Sequence, residues 1–174
     1  MSHNTPVSYN ALKRFTDRQT NIYETVVEEL RKGKKEEHWM WYIFPQLRGL
    51  GHSSKSYIYG IDGADEAKAY LEHPVLSERL RECCEILLTH KDKTAEEIFD
   101  EIDAMKLRSS MTLFAFISDD DSVFHKVLKQ FYNELMDKKT LKMLEKNLSE
   151  QRADSKVKLT LPKGVTNETD CEEA

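Results

Sequence analysis

The run Trp39-Met40-Trp41-Tyr42-Ile43-Phe44, closed by Pro45, constrains this chain more than any other feature. Six consecutive large apolar side chains cannot all face water, and Pro45 pushes Phe44 out of the helical region. The run is therefore expected to form a short buried helix over 35–43, with mostly loop over 45–62, where Gly49 and Gly51 permit tight turns. Trp41, in the middle of the run, is expected in the core. Such a block folds only if other elements offer apolar faces to cover it.

Those faces recur at helical spacing. Ile22, Tyr23, Val26, Val27 and Leu30 stripe one side of a helix over 16–32, with Thr16 or Asp17 as cap and Gly33 past its end. Ala67, Tyr70 and Leu71 mark a second helix. Pro74 opens a third near 74–89, where Val75, Leu76, Leu80, Cys83, Leu87 and Leu88 face inward. Thr94 and Glu97 form a capping box before Ile98 and Phe99. Met105, Leu107, Met111, Leu113, Phe114 and Phe116 predict a helix over 103–117. Asp119 to Ser122 open the next, whose stripe is Val123, Val127, Leu128, Phe131 and Leu135. Thr140 is expected to cap a last short helix bearing Leu141, Leu144 and Leu148.

The expected fold class is all-α, an irregular multi-helix bundle of six to eight helices forming a single domain over 10–149. Residues 1–9 are expected to be a flexible N-terminus. Residues 150–174 are expected to be a polar, disordered tail, because no aromatic follows Tyr132 and polar residues dominate beyond Leu148.

Charge and composition narrow the function classes. The net charge of -5 gives no global attraction to phosphate backbones, so nucleic acid is not an expected partner. No run of 18 apolar residues exists to span a bilayer, and the N-terminus lacks the apolar core of a signal peptide. The reading is a soluble, cytoplasmic (or nuclear) protein with no membrane partner. Cys83, Cys84 and Cys171 read as free thiols, since neighbouring cysteines make poor disulfides and three leave one over. Six scattered histidines show no ligand spacing, so no metal is expected. The phosphate, dinucleotide, zinc and nucleophile-elbow signatures are absent, and no cofactor is expected.

Two blocks remain conspicuous. His38 through Gln46 places two indoles beside a histidine and a glutamine. Tryptophan carries an N–H that needs a partner when buried, so the block suits either a ligand cleft or a core anchor. Asp103 through Phe114 puts Asp103, Lys106 and Ser110 on one helical face, with Ser109 and Thr112 three apart. There Lys106 can bind an anion and the hydroxyls can orient it; alternatively, Asp103 and Lys106 are a surface pair. Packing the blocks together would bring His38, Gln46, Lys106 and Ser110 to one cleft.

The segments HWMWYIFPQLRGLGHSSKSYIYG, EAKAYLEHPVLSERLRE and IFDEIDAMKLRSSMTLF resemble the family catalogued as domain of unknown function 1810, sometimes mislabelled calpastatin. The resemblance spans roughly residues 10–145 and implies a mainly helical protein, with no established reaction. It adds Ser56, Tyr59 and His73 to the candidate ligand-binding set of His38, Trp39, Trp41, Gln46, Asp103, Lys106, Ser109, Ser110 and Thr112. Glycine is usual in the family where Ser77 and Asp100 stand, and alanine where Arg18 stands. The expected activity is a small-molecule or nucleotide-like ligand cleft between the two blocks. The alternative is a helical protein-interaction module without catalytic activity.

Overall fold

The computed structural model describes residues 9–160, and among them the chain is helical without a β-strand. The helices are α1 Tyr9–Gln19, α2 Tyr23–Lys32, α3 Met40–Ile43, α4 Ser54–Ile58, α5 Gly63–Glu72, α6 Pro74–Leu88, α7 Ala95–Phe116, α8 Val123–Tyr132 and α9 Lys138–Thr160. The chain divides into two compact units, residues 1–141 and 142–174. The first holds α1 to α8 and the start of α9; the described part of the second is the rest of α9. None of the described helices is long and apolar enough to cross a membrane.

Several helix ends follow from local chemistry alone. The Thr94 hydroxyl accepts from the Glu97 N–H and the Glu97 carboxylate accepts from the Thr94 N–H, giving the capping box that starts α7. Ser122 caps α8. Gly33 ends α2 at φ 76, where its N–H bonds the Leu30 carbonyl, a conformation that glycine takes at no steric cost.

Other ends were not readable from spacing. The stripe expected over 16–32 is two helices, broken at 20–22, with Ile22 rather than Thr16 or Asp17 at the second start. Only Met40–Ile43 of the 35–43 segment is helical, because the backbone at 36 and 37 is spent on a side chain described below. The 45–62 loop contains α4, and an isolated parallel bridge joins Leu47 to Ile61. The Asp137 carboxylate, not Thr140, caps α9 by accepting the Thr140 N–H and hydroxyl. That helix continues past residue 150 to Thr160. Lys, Glu, Gln, Arg and Ala are good helix formers, so a polar composition without aromatics does not by itself end a helix. The rest of the expected tail, and residues 1–8 of the expected flexible N-terminus, lie outside the described residues.

The core of the first unit is aromatic. Phe15, Trp39, Phe44, Tyr70, Phe99, Phe114 and Phe124 are all at most 2% exposed. Edge-to-face contacts join Phe15 to Tyr70 at 5.2 Å and both Trp39 and Phe44 to Phe99. Cys83 and Cys84 are free and buried among these helices. Burial pushes the Cys83 thiol up to about 12 and Cys84 well above its ordinary value, so neither presents a thiolate. Cys171 lies outside the described residues.

Helix α7 is two helical pieces meeting at Asp100, which sits at φ 68 and ψ 178. This region is tolerated essentially only by glycine, the residue usual here in the family that the sequence resembles. Asp100 partly offsets the strain by capping the second piece: its Oδ1 accepts the Asp103 N–H at 3.1 Å. Glycine caps almost as well and removes the steric conflict. Asp100→Gly is therefore expected to stabilise the fold by about 1 kcal/mol in urea unfolding, and Asp100→Ala to destabilise it by about 1 kcal/mol. The order glycine, aspartate, alanine is the diagnostic result.

Candidate functional site

The two tryptophans do different work. Trp39 is 2% exposed, and its indole N–H donates to Glu29 Oε1 at 2.8 Å. The same oxygen accepts the backbone N–H groups of Glu36 at 2.8 Å and Glu37 at 3.1 Å. One α2 carboxylate thus organises the approach to α3 and turns Trp39 inward. Burial alone would raise the Glu29 pKa. The Glu36, Trp39 and Glu37 bonds and the nearby Lys35 charge outweigh it and hold the carboxyl below its ordinary value. Trp41 is only partly buried, contrary to the expectation from its place in the run, because α3 is a single turn whose outer side it occupies.

Two ammonium groups lie over the Trp41 ring. Lys106 Nζ is 4.8 Å from the ring centroid and Lys55 Nζ is 5.1 Å away. Lys106 comes from the second piece of α7 and Lys55 from α4. Behind Lys106 stands Asp103. Its Oδ2 pairs with Lys35 Nζ at 2.8 Å, and its Oδ1 lies 3.6 Å from Lys106 Nζ. Lys35, with its side chain only 7% exposed, is in turn 5.2 Å from the Trp39 ring. Asp103 therefore links two lysine–tryptophan contacts, one buried and one at the surface. The tight Lys35 pair holds the carboxylate, while the longer distance leaves Lys106 loosely attached.

A cleft opens beside Trp41, lined by Met40, Phe44, Pro45, Gln46, Ser56, Tyr59 and Lys106 as well. It encloses about 240 Å³ counting the solvent at its mouth, but only about 10 Å³ admits the centre of a water molecule. Its back wall is rigid. The Gln46 carbonyl accepts the Ile61 N–H at 2.9 Å, and the Ile61 carbonyl accepts the Arg48 N–H at 2.8 Å. The Ser56 hydroxyl donates to the Ser53 carbonyl at 2.8 Å. Gly51 passes so close that a Cβ there would sit 2.6 Å from Ser56. The Tyr59 ring meets Tyr42 edge-on at 4.8 Å, and its hydroxyl accepts from Arg18 Nε at 2.9 Å.

Of the residues singled out from the sequence, Trp41, Gln46, Ser56, Tyr59 and Lys106 line this cleft, with Asp103 behind Lys106. The others do not join them. His38 lines a separate hollow with Ile22, Thr25, Glu37, Trp39 and Tyr42. His73 caps α6: its Nδ1 accepts the Val75 and Leu76 N–H groups. Ser109 and Ser110 are buried, and Ser110 Oγ has no hydrogen-bond partner. Thr112 Oγ1 donates to the Arg108 carbonyl and accepts the Asp137 N–H, joining α7 to the start of α9. Trp39 is a core anchor. Lys55, Lys35 and Glu29 were missed, because each is an ordinary charged helix or loop residue in the sequence and only the fold brings it to an indole. Among the described residues, no group of three His, Cys, Asp or Glu side chains converges as a metal-ligand set.

The family description "Protein of unknown function (DUF1810)" matches residues 9–144, a span that holds the whole cleft. The chain is also similar to the crystal structure of the conserved hypothetical protein Rv1873 from Mycobacterium tuberculosis. The two are 46% identical, with a TM-score of 0.75, over 77% of this chain and 96% of the other. No curated protein matches the chain.

Because Glu29 is held ionised by three N–H donors, its stabilisation is present above the ordinary glutamate pKa and is lost as pH falls through its lower folded value. The advantage of the wild type over Glu29→Gln in urea unfolding is expected to be full at neutral pH and to shrink on acidification below about pH 4. An advantage independent of pH would show that the carboxylate charge does not hold the α2–α3 connection.

Proposed function

The chain belongs to the DUF1810 family, described only as of unknown function, and we propose from the site itself that it binds an anionic ligand carrying a planar ring, of the nucleotide class. The observation that carries this reading is the Trp41 indole with the Lys55 and Lys106 ammonium groups over it, beside the Gln46 amide and Ser56 hydroxyl. A planar ring stacks on an indole face, and cations a few ångströms away meet the phosphate.

The ligand-free site is closed by its own lysines. An exposed ammonium–indole contact contributes only about 0.5–1 kcal/mol, less than stacking a base on an aromatic ring, about 1–3 kcal/mol. A ring can therefore displace one lysine from Trp41. The displaced ammonium keeps its charge and turns to the ligand's phosphate, so the exchange replaces one favourable contact with two. Asp103 keeps Lys106 within reach of the cleft throughout. The cleft is too small to enclose a ligand, so binding uses the indole face that a lysine vacates rather than a cavity.

The alternative, a protein-interaction module, draws on Ile102, Met105 and Leu135, exposed at 68%, 70% and 62%. Ile102 and Met105 are three apart on α7, and Arg108 holds the Leu135 carbonyl at 2.8 Å.

Titration with adenosine, uridine and guanosine mononucleotides is expected to quench tryptophan fluorescence. Lys106→Ala should weaken the binding about tenfold, as for a lost charge-assisted contact, while leaving stability within about 1 kcal/mol. Trp41→Phe should reduce the quench without unfolding the protein. Quenching that survives Lys106→Ala and Trp41→Phe unchanged would place the ligand elsewhere, and no quenching by any nucleotide would overturn the reading.

A further inference from the structure

We infer that the Trp41 site is one end of a longer surface that takes a single-stranded nucleic acid, an inference that rests on the nucleotide reading and extends it. The cleft encloses almost nothing, so tight binding needs contacts spread across the surface around it.

Helix α4 supplies that surface. Its Ser56 is buried, whereas Ser54, Lys55, Tyr57 and Ile58 are exposed. At about 100° per residue these four share one face, with Ser54 and Ile58 in the middle, Lys55 on one flank and Tyr57 on the other. The Lys55 flank leads to Trp41. On the opposite flank Tyr57 is 65% exposed, a large aromatic left to water, and the Arg48 guanidinium lies 4.8 Å from its ring centroid. Arg48 is fixed there, because its Nε donates to the Tyr57 carbonyl at 2.8 Å. Ile58, 49% exposed, offers apolar contact between the two flanks.

The pattern is therefore aromatic ring with cation, apolar step, aromatic ring with cation. Stacking platforms interleaved with positive charge are what a single strand requires, since its bases present faces and its backbone presents phosphates. The local charge agrees. Among the described residues no carboxylate lies within 4.0 Å of a charged atom of Arg18, Arg48 or Lys55. Arg18 sits at the Tyr59 edge of the cleft, where the resembled family usually has alanine. The net charge of -5 averages over the chain and conceals this patch. A duplex buries its base faces and leaves the two rings unused. An acidic polypeptide satisfies the cations but not the rings.

The test uses the full chain and fluorescence anisotropy with labelled single-stranded oligonucleotides of about eight residues, an oligo-uridine and an oligo-thymidine. A duplex of the same length and a polyglutamate peptide serve as competitors. The oligonucleotides are expected to bind at least tenfold tighter than the mononucleotide, with affinity falling as salt rises. Tyr57→Ala and Arg48→Gln should weaken the oligonucleotide severalfold and leave mononucleotide quenching of Trp41 unchanged, whereas Tyr57→Phe should retain oligonucleotide affinity. Preference for the uridine or the thymidine strand tells which nucleic acid is bound. Mononucleotide binding with no gain for the longer strand, or oligonucleotide binding indifferent to Tyr57→Ala, would overturn this inference and leave the Trp41 site standing. Equal competition by polyglutamate or duplex would also overturn it, by removing the role of exposed bases. Absence of both mononucleotide and oligonucleotide binding would remove the nucleotide reading itself.

Discussion

The carboxylate of Asp103 lies between two lysines, and each lysine faces a different tryptophan. Its short pair with Lys35 is nearly buried, where removing one partner strands a charge and typically costs about 3–5 kcal/mol. Its longer contact with Lys106 is partly exposed and sets that side chain beside Trp41. The arrangement includes the break at Asp100, which restarts α7 just before Asp103, and Lys106 on the second piece reaches Trp41 of α3. It also includes Glu29, whose three N–H bonds turn Trp39 into the core and bring Lys35 beside it.

This organisation gives the cleft its character. A back wall pinned through Gln46, Ile61 and the close pass of Gly51 faces a front that carries Lys55 and Lys106. The Trp41 ring is half-buried at this wall, with the Lys55 and Lys106 ammonium groups over it. The fully buried polar and thiol groups lie apart from this cleft. Ser110 is sealed, Cys83 and Cys84 are protonated by burial, and Thr112 is committed to Asp137. The partly exposed cation and indole groups of this region come from α3, α4 and the second piece of α7.

Much of the fold was legible in the sequence because its signals are local. The Thr94–Glu97 box, Ser122 and Pro74 each act within one helical turn, and the stripe of α6 repeats over 15 residues. The break between α1 and α2 and the short α3 were not legible, because apolar spacing continues smoothly across the first and Glu29 reaches seven to ten residues along the chain to fix the second. The convergence of Trp41, Gln46 and Lys106 follows from packing two aromatic blocks together. The exclusion of His38 does not, since it turns on which of two neighbouring indoles points inward. Net charge sums over the chain and says nothing of where the cations around α4 gather.

Glu29 holds Trp39 in the core, whereas Trp41 is the indole proposed to meet the ligand. The chain has only two tryptophans, so a proton–nitrogen NMR spectrum shows two indole signals. These can be assigned by replacing each tryptophan with phenylalanine. During titration with a mononucleotide, the Trp41 signal is expected to move progressively, while the Trp39 signal stays in place with its N–H on Glu29. Movement of Trp39 with Trp41 unchanged, or two stationary signals at saturating ligand, would contradict the account.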